Sequence, residues 1–270
     1  YILERLCSVL ASAPISYVKW DFNRSICDKY STSLPAEKQG EMAHRFMLGL
    51  YRVLDGMLSA YPHLLLEGCS GGGGRFDAGM LHYTSQIWCS DDTDTIERLK
   101  IQYGTSFAYP VSAVGSHVSA CPNHQTGRFV PFETRAAVAM AGTFGYELDP
   151  AKLSEEEKMQ IRGQIEEFKK YYDVIHFGDY YRLTNAMEEG PYAAWEFVSE
   201  DGNEALVSIV ASRVRANDPG VRIRLRGLKE NQMYLVNGVE YPGGALMHGG
   251  ILLEEAKKEY QSWNYHITAK

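Results

Sequence analysis

Tyr17-Val18-Lys19-Trp20-Asp21-Phe22-Asn23 is a short apolar run that breaks into polar residues. Ser16–Trp20 reads as a buried strand, and the helix-like Ile2–Leu10 precedes it. The same order recurs downstream. Met42, Phe46, Leu50, Leu54 and Leu58 recur at every fourth residue, a helical stripe, and lead into His63–Leu66, which breaks at Glu67-Gly68-Cys69. Ser85–Trp88 runs into Cys89-Ser90-Asp91-Asp92. A helix-like Thr93–Tyr103 precedes the apolar run Phe107–Val111, and Ala136–Phe144 ends at Gly145-Tyr146-Glu147. Helix alternating with buried strand predicts an α/β fold with a parallel sheet. The polar, reactive residues gather after the C-terminal ends of the strands. A (β/α)8 barrel and a doubly wound sheet both place ligands there, so periodicity alone leaves the two open. About five strand-helix units are legible, and a closed barrel needs eight. The expectation is the later part of a barrel whose early strands lie upstream of Tyr1.

The texture then changes. Ser154-Glu155-Glu156-Glu157 has the Ser-x-x-Glu form of a capping box and opens a charged helix to about Tyr172. Beyond it, Tyr180–Leu183, Ala193–Val198, Ala205–Ala211, Val221–Leu225, Met233–Val236 and Ile251–Leu253 read as short strands. Turn signals separate them: Glu189-Gly190-Pro191, Asp201-Gly202-Asn203, Asp218-Pro219-Gly220, Asn237-Gly238 and Pro242-Gly243-Gly244. This spacing predicts a C-terminal antiparallel β-sandwich. The boundary falls near His176, giving domains 1–176 and 177–270.

Composition narrows the function classes. A hydrophobic share of 45% and a charged share of 23% are those of a soluble globular chain. A net charge of -7 without a basic stripe argues against nucleic acid as a partner. No apolar stretch approaches the ~20 residues of a membrane span. The five cysteines are odd in number and form no CxxC pair, which argues against a structural zinc site and a disulfide framework. That usage suits a reducing compartment, the cytoplasm.

Three clusters carry chemistry. Lys19 and Asp21 share a strand face, and an ammonium beside a carboxylate would keep it ionised, as a nucleophile requires. Asn23 follows at the same parity as a hydrogen-bond donor. Taken locally, the Lys19–Asp21 pair reads as a surface salt bridge. In Trp88-Cys89-Ser90-Asp91-Asp92-Thr93-Asp94, a carboxylate buried against Trp88 would have a raised pKa and suit a general acid. Asp92 and Asp94 read rather as complements to the dipole of the following helix. Asp21 and Asp91 on neighbouring strand ends would form the paired carboxylates of a glycosidase. The run Cys69-Ser70-Gly71-Gly72-Gly73-Gly74-Arg75 lets backbone approach a ligand, but it lacks the Lys-Ser/Thr of a phosphate loop. A flexible turn explains it equally well. Glu67, at the end of its strand, is a candidate supporting carboxylate. His117, His124 and Glu133 raise a metal reading, without the HxH or HExxH that would strengthen it. Trp195, Tyr234 and Trp263 read as core residues.

The runs YVKWDFNR, LLLEGCSGGGGRFDAGML, QIWCSDDTDTIERLKIQYGTS and YPVSAVGSHVSACPNHQTGR together resemble the bacterial α-galactosidases of glycoside hydrolase family 36, in that family's order and near its spacing. The resemblance extends over the whole chain and weakens after about Tyr180. It implies retaining hydrolysis of terminal α-galactosides such as melibiose and raffinose, on a (β/α)8 barrel followed by a β-sandwich. By motif, Asp21 corresponds to the nucleophile and Asp91 to the acid/base. Lys19, Asn23, Cys69, Gly72 and Trp88 match positions that contact galactose. The resemblance implies no metal or organic cofactor, an oligosaccharide substrate, and a homo-oligomer, a tetramer in many members; the lack of a long apolar stretch argues against a membrane partner. It also implies that this is the C-terminal portion of a longer enzyme, with little activity alone. Two other readings stand beside it: a non-catalytic galactoside-binding fragment, and a metal-dependent barrel hydrolase using His117 and His124.

Overall fold

The computed structural model describes residues 1–23, 27–188, 190–214, 216–217 and 220–270. Arg24 of the first motif and the turn residues Glu189, Asp218 and Pro219 lie outside the described residues. The chain forms two compact units, Tyr1–Asp91 and Asp92–Lys270.

The first unit contains α1 (Ile2–Leu10), β1 (Tyr17–Trp20), α2 (Met42–Ala60), β2 (Leu65–Gly68) and β3 (Gln86–Trp88). The strands run parallel in the order β1-β2-β3, with Val18 opposite Leu66, Lys19 opposite Glu67 and Gly68 opposite Ile87. Alternation sorts the side chains. Val18, Trp20, Leu66 and Ile87 join a core with Leu10 of α1 and Leu50, Leu54 and Met57 of α2. Leu54, Met57 and Ile87 are almost fully buried, and each such side chain contributes roughly 1.5–3 kcal/mol relative to exposure. The stripe read from Met42 to Leu58 is therefore the inner face of α2. The opposite sheet face presents Tyr17, Lys19, Glu67, Gln86 and Trp88. Helices on one face only thus leave the other free for polar side chains at the strand ends.

In the second unit the helix Thr95–Thr105 precedes β4 (Val114–Ser119), and the helix Phe132–Ala139 precedes β5 (Thr143–Glu147). β4 and β5 pair in parallel, from Gly115 opposite Thr143 to Ser119 opposite Glu147. The capping box is complete: Ser154 and Glu157 exchange side chain-to-backbone hydrogen bonds at the start of the helix Glu155–Lys170. After a short helix, Tyr172–Phe177, come β6 (Asp179–Arg182), β7 (Tyr192–Val198), β8 (Glu204–Ala211), β9 (Arg222–Ile223), β10 (Met233–Val236), β11 (Val239–Pro242), β12 (Ile251–Leu252) and β13 (Ser262–Ala269). Six of them form one sheet, ordered β11-β10-β13-β8-β7-β6, and β9 pairs with β12. Asn237 and Gly238 both adopt positive φ, 50° and 81°, as the tight hairpin between β10 and β11 requires. Trp195 and Tyr234 are core residues, and Trp263 packs against the core.

The structure corrects several expected elements. Phe107–Val111 is not a strand: Phe107 is exposed in a turn, and the strand begins at Val114, beyond Pro110, which has no N–H to give a sheet. Ala136–Phe144 is two elements, the end of a helix and the start of β5. That helix is buried on nearly every side, so it carries no amphipathic contrast. β11 and β13 are additional strands. β13 lies in the middle of the six-stranded sheet, and the alternation of Trp263, Tyr265 and Ile267 was its signal.

Candidate active site

Asp21, Cys69 and Asp91 follow the C-terminal ends of β1, β2 and β3 in turn. Parallel strands carry these three chain exits to one end of the sheet. There Asp21 collects hydrogen bonds. Asn23 Nδ2 donates to Oδ2 at 3.1 Å and the Gly71 N–H donates to Oδ1 at 3.3 Å. The Cys69 thiol and the Ser70 N–H donate as well. Desolvation raises the Asp21 pKa, but these donors outweigh it and hold the carboxyl below the ordinary aspartate range. Burial pushes the Cys69 thiol up, and its bond to Asp21 adds to the shift. It therefore remains an S–H donor.

Lys19 behaves differently from the sequence expectation. Its ammonium pairs with Glu67 Oε1 at 3.4 Å and lies 5.0 Å from the centre of the Trp88 ring. The donors that keep Asp21 ionised are neutral. Strand register explains the switch, because Lys19 sits directly opposite Glu67.

The glycine run forms a left-handed turn. Ser70, Gly71, Gly72 and Gly73 have φ of 67°, 64°, 71° and 88°. Gly73 N–H closes it on the Cys69 carbonyl at 3.0 Å. A left-handed turn in L-residues meets a Cβ clash of about 1–2 kcal/mol per residue, which glycine avoids. Ser70 is the one residue of this turn that bears it. The turn reaches both carboxylates. Gly71 donates to Asp21, and a Cβ on Gly72 would stand 2.3 Å from the Asp91 nitrogen and 3.0 Å from its Cγ. The bare backbone is therefore a packing requirement. Arg75, at the end of the run, donates to the Phe22 carbonyl at 2.7 Å and stacks over the Phe22 ring. It braces the segment that carries Asp21. The sequence reading used Arg75 only to dismiss a phosphate loop.

Asp91 accepts a hydrogen bond from the Trp88 indole at 3.1 Å. It is exposed rather than buried against that ring, because it lies beyond the end of β3. Asp94 caps the helix Thr95–Thr105 by accepting from the N–H groups of Ile96 and Glu97, and it also pairs with Arg128. Asp92 accepts from the Asp94 N–H at 3.0 Å. Lys19, Asp21, Asn23, Cys69, Gly72, Trp88 and Asp91 thus all belong to the first unit. In the second, His117 lies on β4 with Nδ1 3.8 Å from Glu147, His124 is exposed, and Glu133 is in the first turn of its helix. Among the described residues no group of three His, Cys, Asp or Glu side chains is placed to hold a metal ion.

A cluster with an ionised carboxylate at one strand end and a second carboxyl two strands away suits substitution at a sugar carbon. Residues 1–178 match the family model described as Melibiase, and residues 192–267 match the Glycosyl hydrolase family 36 C-terminal domain. The chain belongs to glycoside hydrolase family 36. This family 36 chain is 53% identical to the bifunctional α-galactosidase/sucrose kinase AgaSK of Mediterraneibacter gnavus, a match covering 99% of this chain and 28% of that protein. It is 51% identical to the α-galactosidase AgaA of Geobacillus stearothermophilus, covering all of this chain and 37% of that one. A crystal structure of AgaA aligns with a TM-score of 0.97 over the whole of this chain and 38% of its own, at 51% identity. The family 36 chain therefore spans well under half the length of these relatives. No helix among its described residues is long and apolar enough to cross a membrane.

Proposed function

We propose that this chain carries the catalytic carboxylates of a retaining α-galactosidase, which releases terminal α-linked galactose from oligosaccharides such as melibiose and raffinose. The observation that carries the reading is the left-handed turn at Ser70–Gly73, which bonds Asp21 and packs on Asp91. A second observation supports it. AgaA has been crystallised with raffinose when one aspartate is changed to asparagine and with stachyose when another is changed to alanine, at positions 70 apart. Asp21 and Asp91 are 70 apart in this chain.

The chemistry divides between the two carboxyl groups. Asp21, held ionised by neutral donors, attacks the anomeric carbon as the bond to the leaving oxygen breaks. Asp91 delivers its proton to that oxygen. A water then attacks the galactosyl-Asp21 ester from the face the leaving group vacated, Asp91 takes its proton, and the carboxylate of Asp21 departs. Two inversions give net retention. Lys19, Asn23, Cys69, Gly72 and Trp88 line the galactose position, and Trp88 also orients Asp91. The steps need two carboxyl groups and water, and no cofactor. In this reading residues 1–176 are the later strands of a (β/α)8 barrel, and residues 177–270 are a C-terminal antiparallel β-sandwich. The parent enzyme is a cytoplasmic homo-oligomer.

The test uses the full-length protein and an aryl α-galactoside. Wild type should release α-galactose first, as read by proton NMR, and Asp21→Asn should lose at least ~10³-fold in kcat. Release of the β-anomer, or an Asp21→Asn variant that keeps most of its turnover, would remove Asp21 from this role.

A further inference from the structure

On the sheet face below the site lies a carboxylate that the double displacement does not use. Glu67 is only 4% exposed. Its Oε2 accepts from the Tyr17 hydroxyl and, at 3.2 Å, from the Gln86 amide. Gln86 also reaches the Tyr17 oxygen at 2.8 Å. Burial, then the hydrogen bond to Glu67 and its charge, raise the Tyr17 pKa far above the usual phenol range, so Tyr17 stays a donor. The other oxygen, Oε1, is buried without a hydrogen bond and faces the Lys19 ammonium at 3.4 Å. All four residues meet because β1, β2 and β3 place Lys19 opposite Glu67 and Glu67 opposite Gln86.

The fixed Glu67 matters because of where Lys19 stands. Lys19 and Asp21 are two residues apart with the same parity, and a lysine stem spans that distance. Without a fixed partner, the ammonium would be free to turn toward the nucleophile on the same strand face. In the structure it lies on the Trp88 ring and pairs with Glu67, while Asp21 is held by neutral donors.

We propose that Glu67 is a positioning residue that holds the Lys19 ammonium on the face of Trp88 and off Asp21, where it can donate to a sugar hydroxyl. Tyr17 and Gln86 fix Glu67 in turn. This rests on the α-galactosidase reading above.

A double-mutant cycle in the full-length protein tests it, with kcat/KM for an aryl α-galactoside and Ki for galactose as readouts. Glu67→Gln should lower kcat/KM by roughly 10- to 100-fold and raise the Ki, the size expected of directly coupled residues. In a Lys19→Met background the same change should cost less than about threefold, because the residue it acts through is already gone. Tyr17→Phe should cost about 3- to 10-fold alone and little in the Lys19→Met background. Losses that multiply across the cycle would overturn the proposal. If Glu67→Gln fails to fold, judged by its thermal midpoint, the Tyr17→Phe and Lys19→Met cycle decides by the same criterion. A wild type without α-galactosidase activity would overturn the underlying reading and this inference with it. An active wild type with multiplying losses overturns the role of Glu67 alone.

Discussion

A methyl group on Gly72 would stand 2.3 Å from the Asp91 nitrogen, on a backbone already at φ 71°. Both facts predict a large effect from a small change. Gly72→Ala should reduce kcat/KM at least ~100-fold, because displacing Asp91 by even a fraction of an ångström misplaces the proton donor. Gly163→Ala is the control, since nothing lies within 4 Å of its added carbon and it sits inside a helix. It should leave activity unchanged and add up to ~1 kcal/mol of stability. Steady-state kinetics and thermal unfolding of both variants check this, and equal activity in the two would refute it. At this scale the sequence was partly readable. The glycine run and both aspartates stood out as motifs. The left-handed turn did not, nor did the partner of Lys19, because each depends on a neighbouring strand.

At the scale of elements, alternation along β7 places Tyr192, Ala194, Glu196 and Val198 on one face and Ala193, Trp195 and Phe197 on the other. Glu196 is thus fully buried among apolar neighbours. It accepts from the Arg226 N–H at 2.8 Å, and Oε1 has no hydrogen bond. Desolvation pushes its pKa up to about 8, against the opposing pull of the Arg226 N–H and charge. The unfolded carboxyl titrates near ~4.3. Between these values the folded chain binds the proton that the unfolded chain has lost, so stability falls as pH rises, by about 1.4 kcal/mol per unit. Below ~4.3 both states are protonated and the penalty vanishes. Glu196→Gln should therefore exceed wild type in thermal midpoint by a margin that widens from pH 5 to 8 and then levels off. A margin independent of pH would refute the assignment. The strands that the sequence revealed were those with local apolar runs and flanking turns. β13 is marked only by the period-two alternation of Trp263, Tyr265 and Ile267 with Ser262, Asn264 and His266, without the continuous apolar run of the other strands, and the helix Phe132–Ala139 escaped because burial on nearly every side erased its period.

At the scale of the whole molecule, the first unit has an open side. β1 is the edge of its sheet, and a groove of about 680 Å³ beside it is lined by Ile2, Leu6, Val18, Trp20, Phe22 and Phe46, among others. Ile2 is strongly exposed for an apolar residue. Open apolar surface of this kind calls for a covering partner. If the partner that covers this groove also completes the proposed site, the 270-residue chain by itself should bind a hydrophobic dye and hydrolyse an aryl α-galactoside at under ~1% of the full-length rate. Turnover comparable to the full-length protein would show that these residues form a complete site.

The sequence by itself determined the C-terminal ends of β1 and β3, the capping box, the hairpin turn at Asn237-Gly238 and the four motifs that place the chain in family 36. Each is written in neighbouring residues, through burial period, turn chemistry or an unbroken run. Only the tertiary structure decided that Lys19 pairs with Glu67 and leaves Asp21 to neutral donors, that one glycine turn serves both carboxylates, and that β13 lies within its sheet. Those outcomes depend on register between strands far apart in the chain, and a one-residue slip would send each of these side chains to the opposite face.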